Sequence, residues 1–311
     1  MIKKTLYFEN PAYLSLKNNQ LVVKLPEVEK IDSLPDSLKK ESQKTIPIED
    51  IGILILDNKQ ITLTHGLIEA LLENNSALIT CNNSRMPVGL LLPLEGNTIQ
   101  SERFQAQIDA SLPLKKQLWQ QTVQAKILNQ AYVLNEMRNT ITKNMLAWAN
   151  QVKSDDNENL EGRAAAYYWN NMFPDIENFR RDREGIPPNN LLNYGYAILR
   201  AVIARSLVAS GLLPTLGIHH HNRYNAYCLA DDIMEPYRPF VDKLVIEIVD
   251  SGENIEELST GLKKKLLQVP VLDVVINGQR SPLMVAALQT TASLAKCYLG
   301  EIRKIAYPTF T

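Results

Sequence analysis

Three consecutive histidines and a following group of acidic residues could together hold a divalent cation. His219–His221 are three of the four histidines in the chain, and Asp232 and Glu235 come soon after them. On a helix, residues three apart share a face, so Asp232 and Glu235 would lie side by side, with Asp242 further along. Carboxylates on one face repel each other unless a positive charge lies between them. Imidazole and carboxylates are a normal ligand set for Mg²⁺ or Mn²⁺, so the pattern predicts a metal site.

The same stretch has a second interpretation, in which the histidines belong to a solvated loop and the acids to a polar helix face. Arg238 could supply part of the positive charge that the carboxylates need. Pro236 and Pro239 indicate that a helix begins near Asp231 or is kinked there, because proline cannot donate the backbone hydrogen bond of a helix interior. The residue types alone leave both interpretations open.

Glu161 is another candidate, because it lies in the alanine-rich segment Leu160–Trp169. Small side chains let a neighbouring element approach closely, so Glu161 could point into a packed interior, where a carboxylate needs a partner or a metal. In the alternative, it is an ordinary glutamate in the first turn of a helix, where the helix dipole stabilises its charge.

The elements that would carry these residues change character near residue 100. Before it, the apolar pattern indicates strands. Asn18–Asn19 lies between two of them, and asparagine tolerates the positive φ of a two-residue hairpin turn. The predicted strands are Tyr13–Lys17, Gln20–Leu25, Ile48–Leu56, Ala77–Cys81 and Val88–Leu94, with a short helix at Gly66–Glu73.

After residue 100 the apolar residues recur at helical spacing. Trp119, Val123 and Ile127 mark the core face of a long helix, and the polar segment Ser154–Asn157 could cap the next one. Further helices are predicted at Leu160–Trp169, Tyr194–Ser210 and Phe240–Val249, and a last one with Ser281 as its cap and Pro282 as its first residue. We therefore predict an α+β fold, with a small β-rich N-terminal domain over residues 1–103 and a larger all-α C-terminal domain over residues 104–311.

Composition narrows the class of protein. The chain has 311 residues and a formal net charge of −1, which counts against a simple DNA-coating module because such proteins usually carry a basic excess. An acidic metal site could nevertheless offset a local basic groove. Cys81, Cys228 and Cys297 are far apart and odd in number, which argues against a disulfide framework and a thiolate zinc site.

Targeting and cofactor motifs are absent from the sequence. No apolar run approaches the roughly 20 residues that span a bilayer, and no apolar segment of a secretory signal follows Met1–Lys4. We therefore expect a cytoplasmic protein without a membrane partner. The sequence contains no P-loop, no Gly-x-Gly-x-x-Gly fingerprint and no nucleophile elbow, so we expect no nucleotide cofactor.

Two motifs, taken together, resemble those of one family. Glu161–Ala165 is the first motif, and the second combines Gly217–His220 with Leu229–Pro239. They resemble the CRISPR-associated integrase of spacer acquisition, CRISPR-associated protein one, and the resemblance covers essentially the whole chain. The segment Phe179–Tyr196 further resembles the type II branch of that family.

The resemblance implies a DNA endonuclease and integrase that inserts short fragments as new spacers into a CRISPR repeat array. A 3′-hydroxyl of the incoming double-stranded DNA attacks a phosphodiester of the repeat, a transesterification that depends on positioning and charge neutralisation. The resemblance also implies a homodimer, formed through the N-terminal domain, that joins a small companion, CRISPR-associated protein two. The type II effector nuclease is a further candidate partner.

The ligands that the resemblance implies for a Mg²⁺ or Mn²⁺ ion are Glu161, His220 and Glu235, with Asp232 behind them or in place of a water. Alternation along an extended loop permits either His220 alone, or His219 and His221 as a pair, to face the carboxylates. A pair of imidazoles suits Zn²⁺ better, and Glu235 lies fifteen positions after His220, which matches the type II motif. We therefore expect His220 to be the ligand.

Two other functions fit the same residues. One is a catalytically silent DNA-binding scaffold whose acids are structural, and the other is a metal-dependent phosphoesterase that acts on small substrates. Metal-dependent strand transfer separates the integrase from the scaffold, whereas activity on a nucleotide-sized substrate without DNA would favour the phosphoesterase.

Overall fold

The computed structural model describes residues 2–31, 35, 37, 39 and 42–310. The chain divides into two compact units, Met1–Gly96 and Asn97–Thr311. Strands predominate in the first and helices in the second, which agrees with the predicted α+β class. The boundary expected after residue 103 lies within a helix, Gln100–Ile108, whereas the two units meet at Gly96 and Asn97.

The N-terminal unit contains two four-stranded sheets. In the described part of this unit, the strands are β1 (Lys4–Phe8), β2 (Ala12–Lys17), β3 (Gln20–Lys24), β4 (Lys44–Pro47), β5 (Ile51–Leu56), β6 (Ile61–Leu63), β7 (Ala77–Cys81) and β8 (Pro87–Leu91). The helices of this described part include α1 (Pro26–Glu29) and α2 (His65–Glu73). One sheet has the order β1-β5-β7-β8, in which β8 alone is antiparallel to its neighbour. The other has the order β4-β3-β2-β6.

The sequence pattern explains the main features of this unit. Asn18 and Asn19 adopt φ values of 50° and 56°, so the predicted hairpin between β2 and β3 is confirmed. The strand predicted at Ile48–Leu56 begins only at Ile51, because Ile48–Asp50 forms a turn of 3₁₀ helix. β5 is buried along nearly its whole length, as an apolar run in the middle of a parallel sheet should be.

The C-terminal unit is built around two long helices. Its helices are α3 (Gln100–Ile108), α4 (Leu112–Arg138), α5 (Lys143–Gln151), α6 (Leu160–Met172), α7 (Asn189–Ala209), α8 (Cys228–Met234), α9 (Arg238–Asp250), α10 (Thr260–Leu266) and α11 (Leu283–Tyr298), and its strands are β9 (Asp273–Ile276) and β10 (Gln279–Pro282). The predicted core face of α4 is confirmed, since Trp119, Val123 and Ile127 are buried. α7 is long and apolar enough to cross a membrane by length and composition alone, but 78% of its most apolar window is buried within the protein.

The expectation of an all-α C-terminal domain is wrong at one place. β9 and β10 form an antiparallel hairpin in which Ser281 lies opposite Val274, so Ser281 belongs to a strand and does not cap α11. Asn277 and Gly278 form the turn with positive φ values of 52° and 76°. Asn-Gly is a strong hairpin signal, and here it outweighed the Ser-Pro signal for a helix start.

The predicted break near the prolines of the acidic segment is confirmed. α8 ends at Met234, a turn of 3₁₀ helix covers Glu235–Tyr237, and α9 begins at Arg238. Pro236 in this turn cannot donate a backbone hydrogen bond, so the helical ladder is interrupted there. The interruption places Glu235 between two helices.

Gly195 marks a close approach between α7 and α9. A Cβ atom on Gly195 would lie 2.5 Å from Val241 Cγ1, so one helix must shift to accept it. We expect Gly195→Ala to lower the free energy of unfolding by about 1–3 kcal/mol, measured by urea denaturation. Gly261→Ala is the control, because the nearest atom to its added Cβ, Ser259 Oγ, lies 3.8 Å away. Equal unfolding midpoints for the two variants would contradict this prediction.

Candidate active site

Glu161 is held in place by the first turn of α6. The carboxylate of Asp156 accepts hydrogen bonds from the backbone N–H groups of Leu160 and Glu161, both at 2.9 Å. Asn159 adopts a φ of 51°, and its side chain accepts a hydrogen bond from Gly162 N at 3.2 Å. These contacts satisfy the N–H groups that a helix start leaves unpaired, and they fix the direction in which Glu161 leaves the helix.

Glu235 lies in the 3₁₀ turn between α8 and α9. Its side chain is only 7% exposed, and Arg238 Nε lies 2.9 Å from its Oε1 atom. Asn129 of α4 donates a hydrogen bond to the carbonyl oxygen of Pro236 at 2.7 Å, which ties the turn to α4. The expectation that Arg238 supplies positive charge beside the acids agrees with this contact.

One ammonium group joins both glutamates. Lys126 of α4 donates a hydrogen bond to Glu161 Oε1 at 2.6 Å, and its Nζ atom lies 2.5 Å from Glu235 Oε2. The second contact is an ion pair without hydrogen-bond geometry, so Glu235 Oε2 is buried with no hydrogen-bond partner in the described part of the chain. The Lys126 side chain is itself only 12% exposed.

Burial and charge act in opposite directions in this cluster. Burial favours the neutral form of Glu235, but Arg238 and Lys126 outweigh it and hold the pKa of Glu235 below its ordinary value. Burial also disfavours the charged form of Lys126, yet Glu235 and Glu161 raise the pKa of Lys126 above its ordinary value. Glu235 and Lys126 are therefore both ionised at neutral pH.

His220 is oriented by Asp232 of α8. Its Nδ1 atom lies 2.5 Å from Asp232 Oδ1. The other oxygen of this fully buried carboxylate accepts hydrogen bonds from the backbone N–H groups of Ile218 and His219, at 2.6 and 3.0 Å. The hydrogen bond to Asp232 is the main reason that the pKa of His220 is raised. Because Nδ1 is engaged, Nε2 is the ring nitrogen left for a ligand.

The three predicted ligands share one electrostatic environment but do not form a closed metal cage. The negative charges of Glu235 and Glu161 both add to the raised pKa of His220. Within the residues that the structure describes, no group of three or more His, Cys, Asp and Glu side chains is arranged to hold a metal ion. The ammonium group of Lys126 stands between the two carboxylates instead.

The other two histidines have different surroundings. His219 stacks on Trp119 with ring centroids 4.2 Å apart and an interplanar angle of 4°, and Trp119 meets the edge of His220 at 5.7 Å. His221 is exposed, and its Nδ1 atom lies 2.5 Å from the carbonyl oxygen of His219. Trp119 is therefore a core residue, as predicted, and it also packs against two residues of the histidine loop.

The acids around the predicted ligands are bound by other groups. Asp231 pairs with Arg200 Nε at 2.6 Å and accepts a hydrogen bond from Asn225 at 2.7 Å. Asp232 contacts the histidine loop and Glu235 contacts Lys126, so the two acids that were predicted to share a helix face have different partners.

Asp242 is an acid buried among tyrosines. It accepts hydrogen bonds from Tyr168 at 3.0 Å and from Tyr196, but burial outweighs these bonds and raises the pKa of Asp242 to about 7. The guanidinium of Arg238 lies over the Tyr196 ring, with Cζ 4.6 Å from the ring centroid. Arg238 thus stands between Asp242 and Glu235.

The donor set fits a hard divalent cation. Two carboxylates and one imidazole are ligands that Mn²⁺ and Mg²⁺ accept. A carboxylate holds the Nδ1 side of His220, which is the usual arrangement behind a metal-binding histidine. Glu235 Oε2 lacks a hydrogen-bond partner among the described residues and is in contact with the ammonium of Lys126 there, so a metal ion in the place of the ammonium could coordinate it. The residue types of Glu161, His220 and Glu235 therefore fit such an ion, although the three side chains are not arranged around one position.

The position of Lys126 in the sequence indicated that it is partly buried, but not which acids it contacts. Lys126 follows Val123 by three positions and precedes Ile127, so it lies beside the buried face of α4. Lysine is rarely buried unless it is paired, and its position therefore indicated a buried acid. Asp156 was predicted only as part of a polar break that caps α6, and the structure shows that its carboxylate holds the backbone of Glu161.

The chain is similar to known proteins of one family. The family described as CRISPR associated protein Cas1 matches residues 6–267. The chain belongs to the Cas1 family. It is 36% identical over 288 residues to the CRISPR-associated endonuclease Cas1 of Neisseria meningitidis serogroup C (strain 8013), a match that covers 92% of this chain and 89% of that protein.

Solved structures show that this Cas1 family member has a known fold. A casposase bound to integration product matches with a TM-score of 0.76 at 19% identity, over 98% of this chain and 92% of that chain. A chain of a Cas6-RT-Cas1–Cas2 complex matches with a TM-score of 0.71 at 19% identity, over 97% of this chain and 35% of that chain. The arrangement of elements around Glu161 and Glu235 therefore belongs to a fold that Cas1 and casposase proteins share.

Asp242 should make the stability of the protein depend on pH. Its folded-state pKa of about 7 lies above the ordinary 3.8, so between these values the folded state retains a proton that the unfolded state has lost. Stability therefore falls as pH rises through this window. We expect the free energy of unfolding of Asp242→Asn, compared with that of the wild type, to increase by on the order of 2 kcal/mol as the pH rises from about 5 to 8. Urea unfolding at each pH measures this difference.

Asp250→Asn, at the exposed end of the same helix, controls for the amide substitution. A constant difference in unfolding free energy between Asp242→Asn and the wild type across this pH range would contradict the raised pKa of Asp242.

Proposed function

We propose that this Cas1 family member is a metal-dependent DNA integrase and endonuclease, which inserts short DNA fragments as new spacers into a CRISPR repeat array. The observation that carries the proposal is the convergence of Glu161 and Glu235 on one cation position, beside a His220 that is oriented by a carboxylate. The relative from Neisseria meningitidis is named an endonuclease, and the casposase of the same fold is bound to an integration product. The names of these two proteins support DNA phosphodiester chemistry for this chain.

Glu161, His220 and Glu235 are the proposed ligands of a Mg²⁺ or Mn²⁺ ion, with His220 binding through Nε2. Asp232 is not a ligand in this assignment, because both of its oxygens are engaged, by His220 Nδ1 and by backbone N–H groups. Its role is to fix the tautomer and the direction of the imidazole.

When bound, the metal supplies positive charge, which lowers the pKa of an attacking 3′-hydroxyl and stabilises the reacting phosphate. The protein holds the proposed ligands in position. Arg238 holds Oε1 of Glu235 and leaves Oε2 for the cation, while Trp119 supports the rings of His219 and His220. Exchange of one phosphodiester for another needs such positioning more than it needs a covalent nucleophile.

Double-stranded DNA, a second copy of the chain and a small Cas2 protein are the proposed partners. The DNA includes the incoming fragment and the repeat array. Residues 1–103 are proposed to form the dimer, and residues 104–311 to carry the chemistry. A solved structure of the same fold is part of a Cas6-RT-Cas1–Cas2 complex, which supports the Cas2 partner. The type II effector nuclease is a further proposed partner.

Glu235→Gln removes a ligand charge and keeps the volume of the side chain. We expect Mn²⁺-dependent strand transfer into a supercoiled target, assayed with Cas2, to fall by at least about a hundredfold. Duplex affinity at the same salt concentration should change little, because phosphate contacts from Lys and Arg dominate it. Glu136→Gln is a matched control, since it breaks a lysine–glutamate ion pair of 2.9 Å with Lys243. Integration at nearly the wild-type rate by Glu235→Gln would show that the metal assignment is wrong.

The three histidines allow an internal comparison. We expect His220→Ala to abolish Mn²⁺-dependent strand transfer, because it removes a ligand. His219→Ala removes the stack on Trp119 and the contacts with the His220 ring and Asp155 but no proposed ligand, so it should reduce the rate by less than about tenfold. His221→Ala should leave the rate unchanged. The melting transition of each variant checks its folding. Loss of activity in a folded His219→Ala or His221→Ala protein, together with an active His220→Ala protein, would overturn the assignment.

A further inference from the structure

Lys126 occupies the place that a bound cation would need. Its Nζ atom lies 2.6 Å from Glu161 Oε1 and 2.5 Å from Glu235 Oε2. A Mg²⁺ ion bound to the same two oxygens would lie about 2.0–2.1 Å from each of them. The ammonium therefore stands where a metal that joins these two oxygens would have to bind.

The charges of the cluster support the same conclusion. Glu161, Glu235 and the Asp232 carboxylate beside His220 carry three negative charges, and Lys126 and Arg238 carry two positive ones. With His220 neutral as a ligand, a divalent ion added to this group would leave an excess of one positive charge in a partly buried site, which is costly. If the ammonium leaves as the metal arrives, the charges balance.

Lys126 is also the cation that can leave. It has a flexible four-carbon stem, whereas the guanidinium of Arg238 lies over the ring of Tyr196 as well as beside Glu235. Displacement of Lys126 breaks its hydrogen bond to Glu161 and its ion pairs with Glu161 and Glu235.

We propose that Lys126 is a displaceable counter-ion, which holds Glu161 and Glu235 together in the metal-free protein and gives way when a divalent metal binds. The inference rests on the proposed function only in taking these two glutamates as metal ligands. Lys126 is then a positioning residue that stabilises the metal-free fold and lowers the affinity for the metal.

The test measures Mn²⁺ binding to the full-length, metal-free protein by isothermal titration calorimetry. Lys126→Met keeps most of the length of the side chain and removes its charge, so the metal no longer has to displace an ion pair. We expect its Kd for Mn²⁺ to be at least about tenfold tighter than that of the wild type. Lys126→Arg supplies a guanidinium that binds carboxylates more firmly, so its Kd should be weaker than that of the wild type.

Thermal melting gives a second measurement that does not depend on activity. Without metal, Lys126→Met should melt several degrees below the wild type, because the two carboxylates lose their counter-ion. Addition of saturating Mn²⁺ should raise its melting temperature by more than it raises that of the wild type. Lys243→Met removes the ion pair with Glu136 and is the matched control, with the wild-type response to Mn²⁺ expected.

The outcomes separate this inference from the proposed function. Opposite changes in Mn²⁺ affinity for Lys126→Met and Lys126→Arg support the displaceable counter-ion. Equal affinity in both variants and the wild type, with binding lost in Glu235→Gln, overturns it and leaves the proposed metal site intact. If Glu235→Gln binds Mn²⁺ as tightly as the wild type does, the ligand assignment fails, and the inference about Lys126 fails with it.

Discussion

Two carboxylates from distant parts of a chain can both stay ionised in a shared, partly buried site only if a positive charge lies close to them. In this Cas1 family member, Glu161 and Glu235 come from different helical segments, and Lys126 of the central helix α4 contacts both. The same helix also holds the Glu235 turn through Asn129 and supports the histidine loop through Trp119. α4 is thus the element that contacts all three proposed ligands or their supports, and its buried face must be polar at the points where it meets them.

Opposite charges alternate through the interior of the C-terminal unit. Beyond Lys126, the series continues from Glu235 to Arg238, and Arg238 lies over Tyr196, which donates a hydrogen bond to Asp242. Burial works against the charges of Lys126, Glu235 and Arg238, and each of these charges is retained because its neighbour has the opposite sign. Asp242, at the end of the series, has hydroxyl donors in place of a close cation, and its pKa is raised to about 7.

Local chemistry made parts of the fold predictable from the sequence. The Asn18–Asn19 turn and the break at Pro236 follow from the backbone preferences of single residues, and the structure contains both. The β9–β10 hairpin was missed because its Asn-Gly turn competes with a Ser-Pro pair that resembles a helix start. The carboxylates and histidines of the candidate site were recognisable by residue type. Their link through Lys126 was not, because a contact between residues far apart in sequence has no local signature.

Asp232 holds the histidine loop in place through hydrogen bonds to its backbone N–H groups and to the ring of His220. Its two oxygens engage Ile218, His219 and His220, while the exposed segment 221–224 that follows makes no contact with Asp232. Insertions and substitutions are tolerated best where the backbone is exposed and not needed by neighbours. Segment 221–224 can therefore be lengthened or replaced in evolution, which changes what the protein contacts beside the candidate site, without disturbing the imidazole that precedes it.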